Sequence, residues 1–221
     1  PKGLVAQRMH MVCTPFASTG YLTRMAAVAG SVADEVLSAM CQHADISRAY
    51  VNNGGDIALY LGRGTSLSTA IKGHGGSDLG RIQIDASDQI GGIATSGRLG
   101  RSHSLGIAES VTVLSPSAAA ADVAATLIAN AVDLPGHLAI MRRAACDLDE
   151  SSDLGDLPVV TGCDPLSAAE CTRALDAGKR RADDFQRQGL INMAALFLQG
   201  HVATSPSYLL TPSKEPIHVQ A

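Results

Sequence analysis

Asp122 and Thr126 stand four residues apart in a segment, Ala118 to about Val132, whose composition predicts a helix. A carboxylate and a hydroxyl at that spacing lie on one helix face, a turn apart. Such a pair can share one hard cation, with waters and ligand phosphates completing the oxygen shell that Mg²⁺ prefers. The same residues also allow a structural reading, in which Asp122 complements the helix dipole and Thr126 packs. The flanking residues are nearly all Ala, so a ligand or another backbone could approach this surface closely.

Two glycine-containing runs add a second kind of chemistry. Val51-Asn52-Asn53-Gly54-Gly55-Asp56-Ile57 and Gly91-Gly92-Ile93-Ala94-Thr95-Ser96-Gly97 each adjoin a strand-like stretch. Turns of small residues let backbone N–H groups approach a ligand, and adjacent donors favour an anion. Asp56 could point at a ribose or metal, or could cap its own turn. Asn52 and Asn53 tolerate left-handed backbone, so either could serve conformation alone. His103, in Gly100-Arg101-Ser102-His103-Ser104-Leu105-Gly106, is the candidate acid–base group, with simple solvation as the alternative. His74, between Gly73 and Gly75, offers less. Ser102 and Ser104 lack the G-x-S-x-G setting of a hydrolase nucleophile, and neither a Walker A motif nor a dinucleotide fingerprint is present.

Composition narrows the class. The chain has 221 residues, 46% of them hydrophobic, which suffices for a substantial core. Aromatic residues make up only 3%, so a planar cofactor would find few rings to stack on. The net charge of −4 and the scattered basic residues, apart from Arg142-Arg143 and Lys179-Arg180-Arg181, argue against nucleic-acid binding. Five cysteines without C-x-x-C spacing argue against a zinc ribbon or disulfide framework and point to a reducing cytoplasm. No apolar run is long enough for a membrane span. The chain opens at Pro1, so a preceding segment, including a removed signal peptide, is compatible with it.

The elements that must position these residues follow from periodicity. Leu4 to Met11 reads as a short strand broken by Thr14-Pro15. Thr23 to about Gln42 reads as a helix interrupted by Gly30-Ser31, and a glycine there implies a packing or ligand reason. Strands are expected at 49–51, 57–61, 81–85, 110–114 and 159–161, with loops at 62–64, 72–77 and 147–156. Ser117, or Ser115 followed by Pro116, caps the helix that carries Asp122. Asp164-Pro165 reads as the start of an amphipathic helix ended by Gly189. Leu190 to Gly200 reads as a buried strand, with a short helix as the alternative. The sum is one α+β domain over residues 1–203 and an extended tail, 204–221.

In this order the segments resemble the ApbE-like superfamily, which includes FAD-dependent protein FMN transferases. The matches are Ala29-Gly30-Ser31-Val32-Ala33-Asp34, Val51 to Ile57, Gly92 to Gly97, Ser110-Val111-Thr112-Val113 and Ala121-Asp122-Val123-Ala124-Ala125-Thr126. An uncharacterised branch is matched further by Gly100-Arg101-Ser102, Ile128-Ala129-Asn130, Ser152 to Asp156 and Gly189-Leu190-Ile191. The resemblance implies a T-fold-like domain with antiparallel or mixed sheets and packed small-residue helices. It implies Asp122 and Thr126 as Mg²⁺ ligands. Asn53, Gly54, Gly55, Asp56, Thr95, Ser96 and Gly97 then line a site for FAD or FMN. It allows an acceptor flavoprotein and a homodimer as partners. The chain departs from the transferases in two places. Ala29-Gly30-Ser31 replaces Lys-Gly-Tyr, removing a cation and an aromatic ring, and no His with Asp-Pro-x-Thr-Gly follows the Thr-Ser-Gly block. A nucleotide-binding protein without catalysis, or an enzyme of this fold acting on another small molecule, is therefore the alternative expectation.

Overall fold

Six antiparallel strands form the backbone of the molecule in the order β1-β2-β5-β6-β9-β10. The structure is a computed structural model that describes residues 1–42, 45–72 and 78–206. His74 and the tail beyond residue 206 lie outside the described residues, as does most of the loop expected at 72–77. The strands are β1 (Arg48–Asn53), β2 (Asp56–Leu61), β5 (Gly92–Ser96), β6 (Ser110–Ser115), β9 (Met193–Leu198) and β10 (His201–Ser205). Every residue of β6 and β9 is buried, because these central strands are covered on both faces. Val111 and Val113 face the main core with helices α1 (Leu4–Cys13), α3 (Ala118–Ala131) and α4 (Ala168–Arg187). Leu114 points the opposite way, as strand alternation requires. There it meets the hairpin of β3 (Ser66–Lys72) and β4 (Asp78–Asp85), which brings in Ile71 and Ile84. A second hairpin, β7 (Ile140–Ala144) with β8 (Pro158–Cys163), forms its own sheet. The α+β class and the antiparallel sheets agree with expectation.

Small residues let the helices come close. Helix α2 (Val28–Gln42) crosses the start of α3 at Gly30, where a Cβ would lie 2.4 Å from the Ala118 carbonyl oxygen. That contact is the packing reason for a glycine inside a helix. Gly92 meets the same joint from the sheet side, 2.1 Å from the Ala118 nitrogen by the same measure. At the other end of the core, Phe16 and Phe185 meet edge to face at 5.0 Å, and Arg181 of the basic triplet lies over the Phe185 ring. Arg181 also donates to the Thr19 carbonyl, so this part of the triplet is not simply a solvated face.

Several expected elements are corrected. Leu4 to Met11 is not a strand but most of α1, because Met9, Val12, Cys13 and Phe16 recur at helical spacing and turn inward together. Helix α4 does not start at Asp164-Pro165. Its N-cap is Ser167, whose hydroxyl accepts from the Glu170 N–H while Glu170 reaches back, a reciprocal capping box. The Asp164 to Leu166 segment is instead pinned by Gln199, which accepts from the Leu166 N–H and donates to the Asp164 carbonyl. Thr204 and Ser205, assigned to the tail, complete β10, and buried Ser205 donates to Asp183.

Candidate functional site

The ladder between β2 and β5 holds only two residue pairs, Ile57 with Ile93 and Ala58 with Gly92. Where it stops, a cleft of about 700 Å³ opens between the first residue of β2, Asp56, and the end of β5, Thr95 to Gly97. Helix α3 closes one side with Asp122 and Thr126, and the β3–β4 hairpin closes another with Thr69, Ile71 and Ile82. On α3 the residues around these two are buried, while Asp122, Thr126 and Asn130 are only half-buried. Their four-residue spacing makes one polar stripe on an otherwise apolar helix, and the sheet's gap exposes it.

The backbone around the stripe is tightly constrained. The first N–H groups of a helix lack partners inside it. Here Asp34 of α2 takes two of them, from Ala118 and Ala119, each at 3.0 Å. Ser117 takes the third, from Ala120, and its carbonyl accepts from Ala121. The N-terminus of α3 is thus fully engaged inside the protein. One turn further on, Asp122 accepts from the Gly30 N–H at 3.0 Å, joining the two helices again. Asn53 donates to the Ala29 carbonyl at 3.1 Å, tying the end of β1 to the same stretch of α2. Asn52 accepts from the Gly55 N–H at 2.9 Å, a local Asx contact that shapes the turn. Gly54 and Gly55 have φ of 71° and 117°, values that favour glycine.

Charge in the cleft is unbalanced. Burial pushes the Asp122 carboxyl up to about 8, the nearby Asp56 charge adds to the rise, and the Gly30 and Ala29 N–H groups oppose it. Burial likewise pushes Asp56 up to about 6, against the Thr95 N–H and the Arg101 charge. Two carboxyls with raised proton affinity, held by separate elements and facing one space, have the chemistry to hold protons or a cation. Thr95 and Thr112 add a pair of hydroxyls 2.9 Å apart on the same wall. The remaining wall is aliphatic, chiefly Ile57, Ile71, Ile82, Ile93 and Leu99.

Asn53, Gly54, Gly55, Asp56, Thr95, Ser96, Gly97, Asp122 and Thr126 therefore line one cleft. His103 is not among its lining residues. It is exposed and lies outside the cleft. Gly91 and Gly92, read as part of an anion-binding turn, lie against the backbone of Pro116 to Ala118 and serve close packing. Arg101 carries a role the residues alone do not reveal, since it lines the cleft and donates to the Gly54 carbonyl at 2.9 Å. Its place in a glycine-bounded polar loop, Gly97 to Gly106, was the available signal. Asp34 gave no such signal, because a carboxylate in mid-helix looks solvent-facing until the partner helix is known.

The profile of a protein family described as AbpE bacteria matches residues 1–204. A UPF0280 protein of Methanopyrus kandleri is 31% identical over 157 residues, 71% of this chain and 61% of that protein. A UPF0280 protein of Methanococcus maripaludis is 38% identical over 111 residues, 48% of this chain and 44% of its own length. One from Methanosarcina acetivorans is 36% identical over 111 residues, 50% of this chain and 43% of that protein. The aligned parts thus span less than two thirds of these relatives.

Proposed function

The chain belongs to the AbpE bacteria family, and from that premise we propose that its cleft binds a phosphate-bearing nucleotide together with a divalent cation. A flavin nucleotide, FAD or FMN, is the ligand class favoured by the ApbE-like resemblance, and Mg²⁺ the cation. The observation that carries this reading is the meeting of Asp56 and Asp122 beside the Asn53 to Gly55 turn and the Thr95 to Gly97 segment. The donor set fits a hard cation: two carboxylates and the Thr126 hydroxyl are all oxygen ligands. A bound cation would supply charge neutralisation and polarisation at the phosphate oxygens. The protein's own contribution is positional. Asp122 is fixed by Gly30, the turn is fixed by Asn52 and Asn53, and the aliphatic wall offers a water-poor surface for a ring system.

Transfer of FMN to a Thr or Ser of an acceptor protein is the activity that this resemblance suggests. A second reading, a binding protein that keeps the cleft without transfer, draws on the lining. Among the described residues, no histidine, lysine or aromatic side chain lines the cleft. An enzyme of the same fold acting on another small molecule fits that lining equally. Titration of the purified protein with FAD, with and without Mg²⁺, followed by assay for AMP and FMN, separates these readings. Saturable binding with release of AMP supports transfer chemistry, and binding alone supports the second reading. Absence of FAD binding removes the flavin assignment. Where turnover occurs, Asp122→Asn should abolish it, because an amide is a poor ligand for a hard divalent cation.

A further inference from the structure

Arg101 is the one basic side chain among the described residues that line the cleft. Its Nη2 donates to the Gly54 carbonyl at 2.9 Å, so the guanidinium sits over the Asn52 to Gly55 turn. A Cβ at position 54 would lie 2.0 Å from Nη2, which means the glycine makes room for the guanidinium. That single bond uses one of five N–H donors. The loop that carries Arg101 is held firmly from behind. Asn130, the last residue of the α3 stripe, accepts from the Leu105 N–H at 2.9 Å. The Val160 N–H donates to the Ser104 carbonyl at 2.8 Å, and Arg142 donates to the Leu105 carbonyl. Gly106 fits against the end of α3, where a Cβ would lie 2.1 Å from the Ala129 carbonyl oxygen.

We propose that Arg101 is the anion anchor of the cleft, donating its free guanidinium N–H groups to the phosphate oxygens of the ligand. The inference rests on the reading that the ligand carries phosphate, and it adds the residue that selects for it. Two carboxylates repel a phosphate, and a cation beside them neutralises only their side of the site. The usual alternative, a helix N-terminus offering free N–H groups, is closed here because Asp34 and Ser117 occupy the start of α3. A guanidinium presents a planar fork matched to phosphate oxygens, and it keeps its charge at any working pH. Asn130 and Arg142 position it by fixing the loop, which gives the branch-specific Gly100-Arg101-Ser102 and Ile128-Ala129-Asn130 motifs a common purpose.

The test measures binding of FMN, riboflavin and inorganic pyrophosphate in the presence of Mg²⁺ to the full chain and to its R101M and R101K variants. R101M should weaken FMN and pyrophosphate about 10- to 100-fold, the loss expected for a charge-assisted hydrogen bond to phosphate. Riboflavin, which lacks phosphate, should bind R101M as it binds the wild type. R101K should fall between, since an ammonium keeps the charge without the fork. The thermal midpoint of R101M should match the wild type, because the exposed side chain makes its one bond to the Gly54 carbonyl. Unchanged FMN and pyrophosphate affinities in R101M would overturn the anchor while leaving the nucleotide reading intact. Equal losses for FMN and riboflavin would overturn it as well. Pyrophosphate binding that depends on Arg101, with no flavin bound, would keep the anchor and remove the flavin assignment. A wild type that binds neither FMN nor pyrophosphate would overturn both.

Discussion

Helix α3 meets carboxylates at two places one turn apart; burial raises the proton affinity of both, and they differ in what their neighbours do about it. At its N-terminus, Asp34 receives the N–H groups of Ala118 and Ala119, and these donors and the Arg8 charge counter the rise that burial causes. In its middle, Asp122 receives Gly30 but also faces Asp56, whose charge adds to the rise in proton affinity that burial causes. The first arrangement is a joint between helices. The second is left short of positive charge, a deficit that a retained proton or a cation would meet. The contrast teaches that the helix start, the customary place for a phosphate, is structural here. The carboxyl without matching donors lies one turn further on.

Breaking the matched end should cost most. Asp34→Ala removes two charge-assisted hydrogen bonds and a helix cap, and should lower stability by about 3 kcal/mol in urea unfolding. A loss below about 1 kcal/mol would show that water replaces Asp34 without penalty. Breaking the unmatched end should have the opposite sign. Asp122 keeps its proton up to about 8 in the folded state, whereas an unfolded carboxyl loses it near the usual value of about 4. Between those values the folded state binds more protons, so this group makes stability fall as pH rises through that window. Asp122→Asn needs no proton, and it should stabilise the metal-free protein at pH 8, with the gain vanishing near pH 4. Thermal unfolding across that range checks the slope. The same variant should lose any rise in melting temperature that Mg²⁺ gives the wild type. The smallest effect is expected at Ser117, whose hydroxyl holds only the Ala120 N–H. Ser117→Ala should cost about 1 kcal/mol in the same urea experiment, clearly less than the Asp34 variant.

What was legible in the residues divides along the same line. The i, i+4 pair on α3, the Asn-Asn-Gly-Gly turn and the Thr-Ser-Gly segment were visible because local spacing carries their meaning, and the structure brings them to one cleft. Strand β9 was visible because continuous burial leaves a continuous apolar run, and β6 because Val111, Thr112 and Val113 are β-branched. Helix α1 was hidden because its inward residues cluster toward its end, Met9 to Phe16, across the expected break at Thr14-Pro15. Strand β7 was hidden because Arg142 and Arg143 interrupt it, although Arg142 turns inward to Asp133 and the Leu105 carbonyl. Asp34, Arg101 and the packing role of Gly92 depend on residues dozens of positions away, which no local pattern encodes. His103 marks the reverse case, a residue of suggestive type whose loop leaves it outside the cleft.

The central claim is that Asp56 and Asp122 form the cation side of a nucleotide cleft. Titrating FAD into the wild type and Asp122→Asn, each with and without Mg²⁺, and following flavin fluorescence tests it most directly. The account predicts saturable one-to-one binding to the wild type that strengthens at least about tenfold with Mg²⁺ and loses that dependence in the variant. Absence of FAD binding, or binding that ignores both Mg²⁺ and the substitution, would contradict it.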